Sequence, residues 1–165
     1  MFISGRSGEG KTSLADTFLS EVRRRGDTLV LSGRCYDRES VPFKAIDSII
    51  DPLATFLRNR ASAEVSDSIS SNTQLLINTF PVLRQVKVLA NAPQPDVRGM
   101  DARQLQLRAF DALRDLWIGI GRPIVLFIDD LQWGDADSVD MLVEMLGGTP
   151  SAPVMLIGSF RSDEV

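Results

Sequence analysis

Histidine is absent from the 165 residues, and cysteine occurs once, at Cys35. The first absence removes imidazole general bases, Ser-His-Asp triads and histidine zinc sites. The second excludes an internal disulfide and fits a reducing, cytoplasmic setting. Basic charge is also short: 18 Lys and Arg stand against 22 Asp and Glu, for a net charge of −4. A grip on a phosphodiester backbone needs a basic face, so direct binding of nucleic acid is not expected. Long hydrophobic runs are missing too. The longest purely apolar string is Ile124 to Ile128, far below the ~20 residues of a membrane span. Met1 to Gly5 has neither the charged start nor the apolar run of a signal peptide, so no membrane partner is expected.

What is present suits a globular domain. The chain is 44% hydrophobic, and a domain of this size buries about two-thirds of its unfolded surface. One domain over residues 1–165 is expected. Phe2-Ile3-Ser4 reads as a short strand running into a glycine-rich loop. From Lys11 to Arg25, Leu14, Phe18 and Val22 recur at helical spacing, and Gly26-Asp27 stops the helix. Thr28 to Ser32 reads as a buried strand. Ile46, Ile50, Leu53 and Leu57 form a helical stripe with an expected kink at Pro52. Shorter helical pieces follow over Leu75 to Phe80 and Pro81 to Ala90, the latter with Val82, Val86 and Leu89 on one face. A longer helix spans Asp101 to Ile120, with Leu105, Ala109, Leu113 and Leu116 inward.

Ile124 to Ile128 is apolar on both faces, as a central parallel strand requires. Val139, Leu142, Val143 and Leu146 mark a helix closed by Gly147-Gly148, and Val154 to Ser159 forms a last strand. Strands alternating with helices predict a doubly wound, mainly parallel α/β/α sheet. Residues 34–123 form an expected helical insertion between the second and third strands.

Gly5-Arg6-Ser7-Gly8-Glu9-Gly10-Lys11-Thr12 matches G-x-x-x-x-G-K-[ST] at every position. Glycines let backbone N–H groups turn inward around phosphate oxygens, and the following helix aims its positive dipole end at the same anion. Gly5, Arg6, Ser7, Gly8, Glu9, Gly10, Lys11, Thr12 and Ser13 form the expected phosphate-binding set. Lys11 would bridge the β- and γ-phosphates of ATP, and the Thr12 hydroxyl would ligate Mg²⁺.

Asp129 and Asp130 end the strongest strand at its C-terminal edge, where ligands bind in open α/β sheets. Asp129 is expected to hold Mg²⁺. Asp130 either orients or deprotonates the attacking water or holds the site's hydrogen bonds together. Both could instead cap the following turn. Arg161, beyond the last strand, either contacts a γ-phosphate or pairs in solvent with Asp163 or Glu164. Asp135 reads as the cap of a helix starting near Ala136, Trp133 as a packing residue, and Cys35 as structural.

Three strings together resemble one family: Gly5 to Thr12, Phe127-Ile128-Asp129-Asp130-Leu131-Gln132-Trp133-Gly134-Asp135, and Gly158-Ser159-Phe160-Arg161-Ser162. They are similar to the AAA-type ATPase domain of the signal-transduction ATPases, P-loop NTPases found in large bacterial regulators. Gly33-Arg34-Cys35-Tyr36-Asp37-Arg38-Glu39-Ser40-Val41-Pro42-Phe43-Lys44-Ala45 resembles the branch attached to serine/threonine protein kinases.

The resemblance implies ATP binding with slow Mg²⁺-dependent hydrolysis, used as a switch. It assigns Lys11 and Thr12 to phosphate and Mg²⁺, Asp129 to Mg²⁺, Asp130 to the water and Arg161 to a sensor role. It also implies kinase, cyclase or DNA-binding domains as partners, or self-association. Family members carry a segment before the first strand, and a fifth strand and helical lid after the fourth. The chain therefore reads as a fragment, truncated at both ends, with the fifth strand absent. In the family order 5-1-4-3-2 this leaves the first strand at an edge. No His-Arg-Asp string occurs, so kinase activity would reside elsewhere. A binding module without hydrolysis and a small-molecule kinase are the competing readings, and the lack of an Asn-Lys-x-Asp string disfavours a GTPase.

Overall fold

The computed structural model describes residues 1–37, 42–60, 65, 69–147 and 153–163. Residues 38–41 of the kinase-branch string, the helix stop at Gly148 and the alternative Arg161 partner Glu164 lie outside the described residues. In chain order the elements are β1 (Phe2–Gly5), α1 (Lys11–Arg25), β2 (Leu29–Arg34), α2 (Lys44–Arg58), α3 (Thr73–Thr79), a 3-10 turn (Pro81–Gln85), α4 (Lys87–Ala90), α5 (Ala102–Gly119), β3 (Ile124–Asp129), a second 3-10 turn (Leu131–Trp133), α6 (Ala136–Gly147) and β4 (Val154–Arg161). They fall into two compact units. The first holds Met1–Ile49, Arg122–Leu142 and Pro153–Val165, and the second holds Ile50–Gly121 and Val143–Ala152.

The first unit is built on a four-stranded sheet of order β1-β4-β3-β2, with every pair parallel. All six residues of β3 are buried, which explains why this strand carries no polar residue before Asp129. Successive side chains of a strand point to opposite faces. One face receives α1: Ala15 and Leu19 pack with Val125, Phe127 and Ile157, and Ile3, Val22 and Val30 close the cluster. On the other face β2 meets the start of α2. A Cβ on Gly33 would stand 2.0 Å from Ser48 Oγ and 2.7 Å from the Ser48 carbonyl carbon, so helix backbone lies directly on the strand. Helices on both faces of a parallel sheet make the α/β fold of a P-loop NTPase. β1 lies at an edge of the described sheet, with Phe2 exposed.

Two helices turn differently from the sequence expectation. In α1 the residues facing the sheet are Ala15 and Leu19, whereas Leu14 is 64% and Phe18 42% exposed. Leu14-Phe18-Val22 and Ala15-Leu19-Val22 are stripes one residue apart with the same period, so spacing alone does not choose between them. In α6 Met141, Leu142 and Met145 are buried, and Val139 and Val143 are exposed. The expected helix from Pro81 to Ala90 divides at Val86, whose extended backbone separates the 3-10 turn from α4. Leu83 rather than Val82 is buried with Val86 and Leu89.

In the second unit α3 packs against α5. A capping box starts α5: Gln104 N–H donates to Asp101 Oδ1 at 2.8 Å, and Asp101 N–H donates to Gln104 Oε1 at 3.0 Å. Pro52 sits inside α2 without ending it. Among the described residues no helix is long and apolar enough to cross a membrane.

Candidate functional site

The last residue of each strand, Gly5, Arg34, Asp129 or Arg161, stands at the C-terminal edge of the sheet. The register sets Gly5 opposite Arg161 and Arg34 opposite Asp129. A cavity of about 300 Å³ opens at this edge, lined by Ser7, Gly8, Gly10, Lys11, Thr12, Ser13, Arg34, Asp130 and Arg161.

The loop from Gly5 to Gly10 turns through two left-handed residues, Gly8 and Gly10, each at φ 82°. A side chain is strained in that conformation, so glycine is what lets the loop close here. Gly10 also caps α1 without a side-chain hydrogen bond. The first-turn N–H groups of a 15-residue helix are thus left to the cavity, with the positive end of the helix dipole behind them. Glu9 staples the loop from outside: Arg6 N–H donates to Glu9 Oε2 at 2.7 Å. Lys11 Nζ donates to Gly5 O at 2.8 Å and Arg6 O at 2.9 Å, which holds its ammonium across the loop.

Thr12 and Asp129, 117 positions apart, meet at the base of the site. Thr12 Oγ1 donates to Asp129 Oδ2 at 3.0 Å. The other carboxylate oxygen accepts the Ser159 hydroxyl, and Ser159 Oγ accepts Asp130 N–H at 3.1 Å. Asp129 is 6% exposed and Asp130 7%. A hydroxyl and a carboxylate side by side are hard oxygen donors of the kind that magnesium prefers.

Asp130 sits among cations. Its Oδ2 accepts Arg34 Nε at 3.0 Å and Nη2 at 2.6 Å, and its Oδ1 accepts Gln132 Nε2 at 3.2 Å and lies 3.5 Å from Arg161 Nε. Burial pushes its carboxyl up. The hydrogen bonds from Arg34 and Gln132 and the charges of Arg34 and Arg161 outweigh that and leave it below the usual aspartate range. The pairing with Asp130 in turn raises the Arg34 guanidinium. Asp130 itself is left-handed at φ 54°, which turns the chain sharply away from β3 into the 3-10 turn. Gln132 Oε1 accepts Arg161 N–H at 3.2 Å and so ties this turn to the end of β4.

Of the residues singled out in the sequence, Ser7, Gly8, Gly10, Lys11, Thr12, Ser13, Asp130 and Arg161 line one cavity, and Asp129 stands behind Thr12. Gly5, Arg6 and Glu9 shape the loop without lining it. Cys35 is buried and its N–H donates to Asp129 O at 3.0 Å. Sequence reasoning missed Arg34, Gln132 and Ser159. The available signal for Arg34 was its place at the end of a predicted strand, where a charged residue faces the ligand edge of the sheet.

A parallel α/β sheet with a glycine-rich loop between β1 and α1, and paired carboxylates ending β3, defines a P-loop nucleotide-binding protein. The family model for the AAA ATPase domain matches residues 1–157, and the chain belongs to that family. No curated protein and no solved structure gives a match to it.

Proposed function

We propose that the chain binds Mg-ATP in the cavity at the sheet edge and hydrolyses it slowly, as the switch module of a larger signalling protein. One observation carries this reading: the phosphate-loop hydroxyl of Thr12 and the β3 carboxylate of Asp129 come together behind a cavity lined by three cations, Lys11, Arg34 and Arg161. Three positive charges and an uncapped helix N-terminus match a triphosphate in charge.

The donor set suits the expected metal, with Thr12 and Asp129 as the residues that would hold Mg²⁺. Bound there, the ion would neutralise phosphate charge and polarise the bond to the leaving group. Lys11 leaves two neutral carbonyl acceptors for charged phosphate oxygens. Ser7 to Ser13 surround the phosphates with backbone N–H groups. Arg161 and Arg34 face the outermost phosphate, and Asp130 orients the attacking water.

A second reading, binding without turnover, is favoured by one specific feature. Asp130 shares its charge with two arginines and is held below the usual aspartate range. It is therefore a weak base, suited to hold a water rather than deprotonate it. Slow hydrolysis is the outcome that accommodates both facts.

The signalling role rests on the resemblance of the Gly33–Ala45 and Phe127–Asp135 strings to regulator ATPases. It makes a kinase, cyclase or DNA-binding domain, or another copy, the expected partner in the cytoplasm. Titration calorimetry with Mg-ATP, followed by phosphate release, tests the proposal. Binding and release that both disappear in Lys11→Ala support it, and a wild-type chain that does not bind Mg-ATP overturns it.

A further inference from the structure

Asp135 lies outside the cavity and takes no part in the proposed nucleotide contacts, yet its carboxylate is fully engaged. Its Oδ2 accepts Phe43 N–H at 2.8 Å, and its Oδ1 accepts the Ser138 hydroxyl. Ser138 Oγ in turn accepts Ala45 N–H at 3.1 Å. These N–H groups flank Lys44, the first residue of α2. A helix start is ordinarily capped by a Ser, Thr, Asp or Asn just before it. Here Pro42 and Phe43 hold those positions and have no side-chain acceptor. The cap comes instead from the far side of the sheet edge, from the connection between β3 and α6. Phe43 is left-handed at φ 60°, a conformation a bulky residue keeps only when its surroundings hold it. Burial disfavours the Asp135 charge. The bonds from Ser138 and from backbone N–H groups more than compensate and keep the carboxyl low.

The same two connections also meet at the cavity. The β2–α2 connection begins at Arg34, which pairs with Asp130 and stacks over the Tyr36 ring at 5.7 Å. Lys44 Nζ reaches back to the Tyr36 carbonyl at 3.5 Å. The β3–α6 connection begins at Asp130 and ends at Asp135. Between them it is a tight turn, with Trp133 N–H donating to Asp130 O at 3.0 Å and Gly134 N–H donating to Leu131 O at 2.8 Å. The two connections are thus fastened twice, by Arg34–Asp130 at the cavity and by Phe43–Asp135 at the helix.

We propose that Asp135, with Ser138, is a positioning residue that latches the β2–α2 connection onto the β3–α6 connection and thereby holds Arg34 on Asp130. Its effect on turnover rests on the nucleotide reading of the cavity, whereas the latch itself does not. A cap serving only the stability of α2 is the competing account.

Asp135→Ala, Asp135→Asn and Ser138→Ala separate the two in the whole chain. Cys35 is the only cysteine and is buried beside Arg34, so its reaction with an aromatic disulfide reagent reports opening of the β2–α2 connection without any nucleotide. The latch predicts labelling faster by on the order of tenfold in Asp135→Ala, with smaller increases in Asp135→Asn and Ser138→Ala, because local opening sets the rate. It also predicts kcat for Mg-ATP lower by on the order of tenfold with KM within about twofold.

Combined with Arg34→Ala, the Asp135→Ala loss should largely vanish, since both changes break one linkage. Unchanged Cys35 labelling in all three variants overturns the latch. A kcat loss that adds in full to that of Arg34→Ala overturns the link to Arg34. Where Asp135→Ala does not fold, Ser138→Ala carries the same tests with the carboxylate left in place. A wild-type chain without Mg-ATP turnover would sink the nucleotide reading, and Cys35 labelling would still decide the latch.

Discussion

Two nitrogens of Arg34, Nε at 3.0 Å and Nη2 at 2.6 Å, converge on one oxygen of Asp130. The other oxygen is left to Gln132 and to Arg161. A carboxylate committed in this way is short, charge-assisted and directional. It fixes where any further ligand of Asp130 can stand, at the cost of basicity. The arrangement therefore favours precision of placement over proton abstraction.

Lys11→Ala should weaken Mg-ATP binding about ten- to a hundredfold, since hydrogen bonds from a charged donor contribute roughly 1.5–3 kcal/mol. Its ammonium touches only two loop carbonyls, Gly5 O and Arg6 O, so the fold should survive. Calorimetry for affinity and circular dichroism for fold check the two halves. Equal affinity in mutant and wild type would remove Lys11 from the site.

Asp129→Asn and Asp130→Asn should separate. Asp129 faces Thr12 and should control the dependence of binding on Mg²⁺. Asp130 faces Arg34 and Arg161, so its amide should keep ATP bound while phosphate release slows. Measuring affinity with and without Mg²⁺ beside turnover tests this, and equal losses of binding in both variants would contradict it.

Some of this was legible before the fold. Residues Ile124 to Ile128, bounded by Pro123 and Asp129, read as a central strand because continuous apolarity requires burial on both faces. The phosphate loop read from its spacing, since the turn chemistry is local. Arg34 did not: it is one of fifteen arginines and lies 96 positions from Asp130. Only the parallel register of β2 on β3, with Arg34 opposite Asp129, brings the two together. Ser159 and Gln132 were missed for the same reason, because their partners belong to other strands or turns. The face of α1 was ambiguous on spacing, and packing against Val125, Phe127 and Ile157 resolved it.

That resolution has a thermodynamic test. Leu19→Ala removes a fully buried side chain and should cost about 2–5 kcal/mol of unfolding free energy. Phe18→Ala, one position away and partly in solvent, should cost roughly 1 kcal/mol or less. Urea unfolding of both variants decides the face, and the reverse order would turn α1 over.

Acid should act through the two depressed aspartates. Asp130 and Asp135 are both held below the usual aspartate range in the folded chain, so the stability they contribute is present at neutral pH. It persists down to the ordinary value of about 3.9 and is lost as pH falls further, through the depressed folded values. Thermal midpoints measured from pH 7 to pH 2 should show the loss setting in below about pH 4. Replacing Arg34 by Gln should shift the Asp130 part of that loss to higher pH. A profile identical to wild type would show that Arg34 does not stabilise the Asp130 charge.

Gly33 touches no proposed ligand and has no side chain to offer one. Even so, a single methyl group there would stand 2.0 Å from Ser48 Oγ and 2.7 Å from helix backbone. In a saturation screen this position should tolerate substitution as poorly as Lys11, though for an opposite reason. At Lys11 the lesion is the loss of a group that acts, and at Gly33 it is the gain of a group that occupies space. The two would be told apart by temperature: a Gly33 variant should regain partial activity in the cold, as misfit lesions do, and a Lys11 variant should not.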